Sequence, residues 1–167
     1  DLDEAIKRLR QSIKLSANEK HFLNESQSRV NLANCLVQAN RIAEARIEYD
    51  QAIQVLLAVE KHWIERVSRQ DERPLTSYEV AHLHYDKRWL AQACERYAPI
   101  AWQENPDYGL WLLAKASQAY EEVGQIEKSK NLGILVEQLQ DQVSLLPSIP
   151  YMPPIHSTGH KCPQCGY

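Results

Sequence analysis

The sequence predicts an all-α fold, and three observations support this prediction. Only 5 of the 167 residues are glycine and only one is phenylalanine, and a low glycine content suits helices because glycine loses the most conformational entropy on folding. Apolar residues recur at intervals of three and four, which is the spacing of one helical face. Prolines are scarce before residue 147 and then crowd the C-terminus. A helical region therefore precedes an extended tail.

Seven helices are predicted in the helical region, which comprises residues 1–146, and residues 147–167 form the proline-rich tail. The predicted helices span residues 2–15, 24–39, 42–69, 76–87, 89–104, 108–123 and 126–146. After the long third helix, residues 70–75 are expected to project as a loop. Pro99 is expected to kink or break its helix near Glu95, because its ring blocks the hydrogen bond to the carbonyl four residues earlier.

A helix-pair motif recurs three times in the helical region. In each copy, a small residue of the first helix precedes a small residue of the second helix by twelve positions. The three pairs are Ala33 and Ala45, Ala81 and Ala93, and Ser117 and Ser129. Two antiparallel helices joined by a short turn pack closely where small side chains face each other. The interval therefore predicts three helical hairpins that stack on one another.

The motif resembles the tetratricopeptide repeat family, whose members stack helix–turn–helix units of about 34 residues. The resemblance is clearest at Leu32-Ala33 in one helix and at Ala45 and Tyr49 in the next. It implies a curved α-α superhelix, a solenoid of about three and a half irregular helix pairs. Such a fold presents a concave surface for binding.

The first predicted helix resembles the second helix of an earlier repeat, with Ala5, Leu9 and Ser12 at the anchor positions. The chain is therefore expected to be a fragment or a processed product of a longer protein. Without the partner helix of that repeat, the apolar residues Ala5, Ile6 and Leu9 are expected to be exposed.

In the tetratricopeptide family, the first helices of successive repeats line the concave face that takes up peptides or helices. By the matching register, the resemblance places a polar and aromatic set on this face: Gln27, Val30, Asn34, Gln38, Tyr78, His82, Tyr85, Asp86, Trp111, Gln118, Glu121 and Glu122. Tyrosine and tryptophan are enriched at binding hot spots, so a protein or peptide partner is expected. Asn34 matches an asparagine with which family members clamp a carboxylate terminus, but Val30 and Gln38 replace the lysines of that clamp. The alternative is that Tyr78 and Trp111 only pack between repeats.

The tail carries a Cys-x-x-Cys-Gly sequence formed by Cys162, Cys165 and Gly166. It resembles one knuckle of a zinc-ribbon or rubredoxin-like site, in which two thiolates converge on a metal ion. A structural zinc ion takes four ligands. Three interpretations are open. The two missing ligands come from residues outside this chain or from a second chain, or they are His156 and His160. In the third interpretation, the tail binds no metal.

Charge and motif content narrow the class of function. A net charge of -3 provides no attraction for nucleic acid or an anionic membrane, and no apolar run approaches the ~20 residues that span a bilayer. The sequence contains no phosphate-binding glycine loop, nucleophile elbow or metalloprotease motif. His82 and His84 point about 200° apart on a helix and cannot share a metal by themselves. The sequence therefore predicts a non-enzymatic adaptor in a reducing, cytoplasmic compartment. A homo-oligomer or a larger assembly is compatible with this prediction.

A metal-dependent regulatory module is the alternative function. Helical repeats followed by a cysteine knuckle resemble membrane-associated bacterial proteins that regulate lipopolysaccharide assembly, in which a rubredoxin-like domain docks on the repeats. Those proteins carry more repeats than this sequence, and they have a second knuckle that this sequence lacks. Zinc or iron would be the cofactor.

We predict that the purified chain carries about one zinc or iron ion per chain, or one per two chains, at Cys162 and Cys165. Elemental analysis of the wild type and of a Cys162→Ser/Cys165→Ser variant measures this. Cys35→Ala is the control, because Cys35 lies among apolar neighbours in a predicted helix and is expected to pack in the core. A metal-free wild type, or equal metal content in the double variant, would contradict the prediction.

Overall fold

The structure is a computed structural model that describes residues 1–19, 22–69 and 73–143. Within these ranges the chain forms six helices and no strands: α1 Leu2–Asn18, α2 Phe22–Gln38, α3 Ile42–Ser68, α4 Ser77–Trp102, α5 Pro106–Glu122 and α6 Ile126–Val143. The predicted all-α class is confirmed. None of these helices is both long enough and apolar enough to cross a membrane.

Each helix packs on its neighbours in the chain. In the described ranges, the only other close approach of two helix backbones is between α2 and α4. Long side chains add contacts between helices two places apart: Arg10 of α1 pairs with Glu44 of α3 at 2.8 Å, and Lys115 of α5 pairs with Glu60 of α3 at 2.7 Å. The described helices therefore form an open stack and not a closed bundle.

Two of the three predicted hairpins are present, with small residues where their helices cross. In the α5–α6 hairpin, Ser117 Oγ donates to the backbone carbonyl of Ser129 at 2.9 Å. In the α2–α3 hairpin, Ala33 and Ala45 occupy the equivalent positions and both are fully buried. The twelve-residue interval thus marks a direct contact in the α5–α6 hairpin and two fully buried small residues in the α2–α3 hairpin.

The same turn joins the helices of both hairpins. Its central residue has a positive φ, 56° at Asn40 and 77° at Gly124. In both turns the next residue donates its N–H to the carbonyl five residues earlier, at 2.8 Å, which is the pattern of a Schellman motif. Asparagine and glycine are the residues that tolerate this conformation.

The prediction of a middle hairpin is wrong. Residues 76–87 and 89–104 were expected to form two helices, but Ser77–Trp102 is one continuous helix, so the described chain has six helices and not seven. Ala81 and Ala93 consequently lie on the same helix. Ala93 is fully buried, whereas Ala81 is exposed.

The local sequence explains why α4 does not turn. The position equivalent to Asn40 and Gly124 is Arg88, and a long side chain disfavours the positive φ that the turn needs. Pro99 also lies inside α4, which continues through it. Of the expected kink or break near Glu95, the break is therefore wrong. Side chains on both sides of Pro99 are buried, and this packing outweighs the cost of about 3 kcal/mol for a proline within a helix.

The expected exposure of the apolar face of α1 is also wrong. Ile6 is only 3% exposed, and Ala5 and Leu9 are partly buried. The reason is that α2 packs on α1 directly. The two helices meet at small polar residues, where Ser12 Oγ lies 2.9 Å from Ser28 Oγ.

A capping box fixes the first residue of α4. Thr76 Oγ1 accepts the N–H of Glu79 at 3.2 Å, and the Glu79 carboxylate accepts the N–H of Thr76 at 2.9 Å. Arg66 of α3 pairs with Glu79 at 3.0 Å and donates to the carbonyl of Arg73 at 2.8 Å. The described end of the expected loop is thus tied to α3, while residues 70–72 lie outside the described ranges.

Replacing Ala45 with leucine is expected to destabilise the fold by about 1–3 kcal/mol, because a larger side chain has no space at a fully buried crossing. Ala43 lies on the same helix and is exposed. Ala43→Leu is therefore the matched control, with an expected change within about 0.5 kcal/mol. Urea unfolding followed by circular dichroism measures both. Equal stability of the two variants would show that the crossing does not require a small residue.

The capping box predicts a dependence of stability on pH. Hydrogen bonds from the N–H of Thr76 and from Arg66 lower the pKa of Glu79 from 4.5 to about 2. A lowered folded-state pKa stabilises the protein above the unfolded-state pKa, and this contribution is lost as the pH falls from about 4.5 to about 2. Glu79→Gln is therefore expected to lower Tm at pH 7, with a difference from wild type that shrinks through this range.

Glu137→Gln is the control for this experiment, because Glu137 on α6 is exposed and makes no ion pair with a described residue. Its Tm is expected to follow that of the wild type at each pH. If the Tm difference between Glu79→Gln and wild type is the same at neutral pH and at pH 3, the proposed linkage is incorrect.

Candidate partner-binding face

Three of the side chains predicted to bind a partner lie together on the first half of α4. Tyr78, His82 and Tyr85 are spaced by four and three residues and therefore share one helical face. Tyr78 is 73% exposed and Tyr85 is 43% exposed. The ring centroids of Tyr78 and His82 are 4.2 Å apart. We call these three residues, together with Gln27 of α2, the α4 aromatic face.

Gln27 connects this face to α2. Its Nε2 donates to the hydroxyl oxygen of Tyr85 at 3.1 Å, and the α2 and α4 backbones also approach each other. The contact orients both side chains. Val30, one turn further along α2, is fully buried and does not line the face. Its apolar side chain instead belongs to the core.

Asp86 was expected on the binding face but is only 8% exposed. Its Oδ2 accepts a hydrogen bond from Trp63 Nε1 at 2.7 Å, and its Oδ1 is buried without a partner among the described residues. Burial raises the pKa of Asp86, against the opposing effects of Trp63 and His82. Asp86 lines a small crevice with Glu60 and Lys87. It therefore connects α4 to α3 and is not presented to a partner.

Asn34 and Trp111 lie at the two ends of a series of aromatic contacts. Tyr49 donates its hydroxyl proton to Asn34 Oδ1 at 2.5 Å. Tyr49 stacks on Tyr97 with ring centroids 5.0 Å apart. Tyr97 then meets Tyr108 at 5.8 Å and Tyr108 stacks on Trp111 at 5.9 Å. We call these five residues the tyrosine ladder.

The tyrosine ladder is separated from the α4 aromatic face along the axis of α4. Tyr97 follows Tyr85 by twelve residues, which is about 18 Å along a helix. Burial raises the pKa of Tyr49 to about 12. At neutral pH its hydroxyl therefore stays protonated and donates to the side-chain carbonyl oxygen of Asn34. Trp111 packs on the ladder but is still 39% exposed. Asn34 thus serves the fold, whereas Trp111 can also contact a partner.

The remaining predicted residues are polar and lie on α2 and α5. Gln118 donates to Glu122 at 2.9 Å, and Glu122 also pairs with Lys87 of α4. Burial acts to raise the pKa of Glu122, but the hydrogen bonds from Lys87 and Gln118 keep it below its ordinary value. Glu121 and Gln38 are exposed. Of these residues, Glu122 is the one for which a contact with α4 is seen.

The four predicted metal ligands lie outside the described residues: Cys162, Cys165, His156 and His160. Within residues 1–19, 22–69 and 73–143, no three histidine, cysteine, aspartate or glutamate side chains are arranged to hold a metal ion. Cys35 is partly buried and Cys94 is buried. Burial raises the pKa of Cys94 to about 12, so at neutral pH it is an unreactive thiol in the core.

The tyrosine ladder was not predicted from the sequence, although part of the signal was present. Tyr49 and Tyr97 both follow a small residue of the repeat, Ala45 and Ala93, by four positions. The repeat pattern predicts that they are equivalent, and in the structure they stack on each other. Tyr108 has no counterpart in the repeat, so its position between Tyr97 and Trp111 depended on the three-dimensional packing.

Comparisons with protein-family models, with curated proteins and with solved structures find no match to the chain. The tetratricopeptide resemblance therefore rests on residue spacing. The function has to be argued from the side chains that the fold presents.

Proposed function

We propose that the chain is an interaction scaffold, a tetratricopeptide-like solenoid that binds a peptide or subunit of a partner protein along the α4 aromatic face. The observation that carries the proposal is the exposure of Tyr78 and Tyr85 on one face of α4. Large exposed aromatic side chains that share a face are typical of binding anchors.

The contacts within the α4 aromatic face favour binding. Tyr78 packs against His82, and Tyr85 is hydrogen-bonded to Gln27. Tyrosine has few rotatable bonds, and these contacts restrict it further before a partner arrives. Binding then loses less conformational entropy, which leaves more of the interaction energy for affinity.

The open stack supports the same proposal. In the described ranges, no helix backbone approaches another that is more than two places away in the chain. Long helices therefore keep accessible sides, as in repeat proteins that bind partners along their length.

The positions of the anchors set a length for the partner. Tyr97, where the tyrosine ladder crosses α4, follows Tyr78 by nineteen residues, which is about 28 Å along the helix. An extended peptide of eight or nine residues covers about this distance. A partner that extends along α4 from Tyr78 to the level of Tyr97 is thus about that long.

The Cys-x-x-Cys spacing of Cys162 and Cys165 favours a second candidate, a metal-dependent regulatory module. This candidate does not depend on the α4 aromatic face. The elemental analysis described above tests it separately.

Peptide selection tests the scaffold proposal. Nine-residue random peptides displayed on phage are selected on the wild-type chain, and their affinities are measured by fluorescence anisotropy. Tyr78→Ala/Tyr85→Ala is expected to weaken binding by about tenfold or more, because each hot-spot residue contributes about 2 kcal/mol or more. Circular dichroism is expected to show unchanged helicity, because both side chains are exposed.

Ile47→Ala/Ile134→Ala is the matched control, because both isoleucines are exposed, at 56% and 54%, on α3 and α6. The control is expected to retain the wild-type affinity. The proposal is rejected if the tyrosine variant binds as well as the control, or if selection yields no peptide above background.

A further inference from the structure

A second accessible surface lies away from the α4 aromatic face. A groove of about 430 Å³ follows α1 and reaches the start of α3. One carboxylate and four cations line it: Asp3, Lys7, Arg10, Lys14 and Arg41. We call this surface the α1 groove. Its volume falls in the range of ligand-binding clefts, about 300–1,000 Å³.

The positive charge of the α1 groove runs against the composition of the whole chain, whose net charge is -3. Residues 5–18 contain no acidic side chain. Lys7, Arg10 and Lys14 are spaced by three and four residues, so they form one row along α1. The row extends about 10 Å along the helix.

Part of this positive charge has no ion-pair partner among the residues that the structure describes. Lys7 and Lys14 make no ion pair or hydrogen bond with a described residue, and both are exposed. Arg10 and Arg41 share one carboxylate, that of Glu44, at 2.8 Å and 2.6 Å. The two guanidinium groups thus share one ion-pair partner, with Asp3 nearby, and the two ammonium groups have no ion-pair partner among the described residues.

The pairing with Glu44 also shows that the groove is chemically suited to a carboxylate. Arg41 donates to both oxygens of Glu44, at 2.6 Å and 2.7 Å, which is the two-pronged geometry that arginine forms with carboxylates. The hydrogen bonds from Arg41, and then those from Arg10, lower the pKa of Glu44. An incoming carboxylate next to Lys7 or Lys14 would instead meet an ammonium group, which attracts it as a compact point charge.

We propose that the α1 groove binds an acidic peptide segment of a partner protein, with its carboxylates on Lys7 and Lys14. This site shares no residue with the α4 aromatic face and goes beyond the proposed function. The charge surplus determines the chemistry of the partner, and the spacing of the lysines determines its length. Acidic residues two to four positions apart in an extended segment match a row of about 10 Å.

A peptide fits these observations better than a nucleic acid. A nucleic-acid surface usually has many cations along its path and a positive domain. Here the row is short and the chain is negatively charged overall. In addition, the groove already holds a carboxylate between two arginines.

The experiment uses a fluorescein-labelled octapeptide of alternating glutamate and alanine, whose binding is followed by fluorescence anisotropy. Wild-type protein is expected to bind this peptide, with an affinity that falls as salt is added. A peptide of alternating glutamine and alanine has the same shape without the charge and is expected not to bind. Lys7→Glu/Lys14→Glu is expected to weaken binding of the acidic peptide by about tenfold or more.

Two control proteins isolate the site. Arg88→Glu/Lys130→Glu changes the net charge by the same amount on α4 and α6, at exposed residues with no described partner, and is expected to lose much less affinity. Tyr78→Ala/Tyr85→Ala is expected to bind the acidic peptide like the wild type, so failure of the scaffold proposal would leave this result unaffected.

Three outcomes would overturn the α1 groove as a peptide site. The first is no binding of the acidic peptide up to about 1 mM. The second is an equal loss of affinity in the two charge-reversal variants. The third is tighter binding of a thymidine octanucleotide than of the acidic peptide, with loss in the Lys7→Glu/Lys14→Glu variant, which would assign the groove to nucleic acid.

Discussion

The close approach of helix backbones at positions with little or no side chain is the constraint on which the rest of this structure depends. A Cβ atom on Gly109 would lie 2.8 Å from the Cα of Trp102, so a larger residue there would force α4 and α5 apart. Ser117 and Ser129 are close enough to hydrogen-bond across the α5–α6 hairpin. Because the helices approach at these points, the large residues beside them interlock, and each pair of helices has one favoured register.

The residue at the turn decides whether a repeat becomes a hairpin or a single helix. Asn40 and Gly124 adopt a positive φ, and the chain reverses at both. Arg88 stands at the equivalent place in the middle repeat, and α4 continues through it. As a result, Tyr78 and Tyr85 lie on the first half of a long helix and not on the first arm of a hairpin. The α4 aromatic face therefore lies on the same helix as Tyr97 of the tyrosine ladder.

Local patterns in the sequence predict much of this fold. The long helix Ile42–Ser68 was expected within one residue at its C-terminal end, and the burial of Ala45 follows from the interval that pairs it with Ala33. The continuity of α4 was not predicted, because the apolar spacing of Ala81 and Ala93 is compatible with either one helix or two. Only the backbone preference of the turn residue distinguishes these possibilities.

Less of the candidate site could be predicted, because exposure depends on which helix covers which face. The spacing of Tyr78, His82 and Tyr85 was sufficient to place them together on α4. It could not show that Asp86, only one position further, is buried against Trp63. The α1 groove was missed because α1 was interpreted only through its place in a repeat. Its charge pattern is visible in the sequence, but its proximity to Arg41 depends on how α1 packs beside the α2–α3 hairpin.

Polar contacts between helices complement the apolar core by favouring one alignment. Apolar side chains tolerate small sliding movements, whereas Lys115 and Glu60 or Trp63 and Asp86 are satisfied only in one relative position. Sliding α4 would remove the hydrogen bond that the buried Asp86 side chain accepts from Trp63, which is costly for a carboxylate. The contact between Trp63 and Asp86 also holds α4, the helix that carries Tyr78 and Tyr85. A surface presented on such a helix is already arranged before binding, so its aromatic side chains can act as anchors without a rearrangement of the fold.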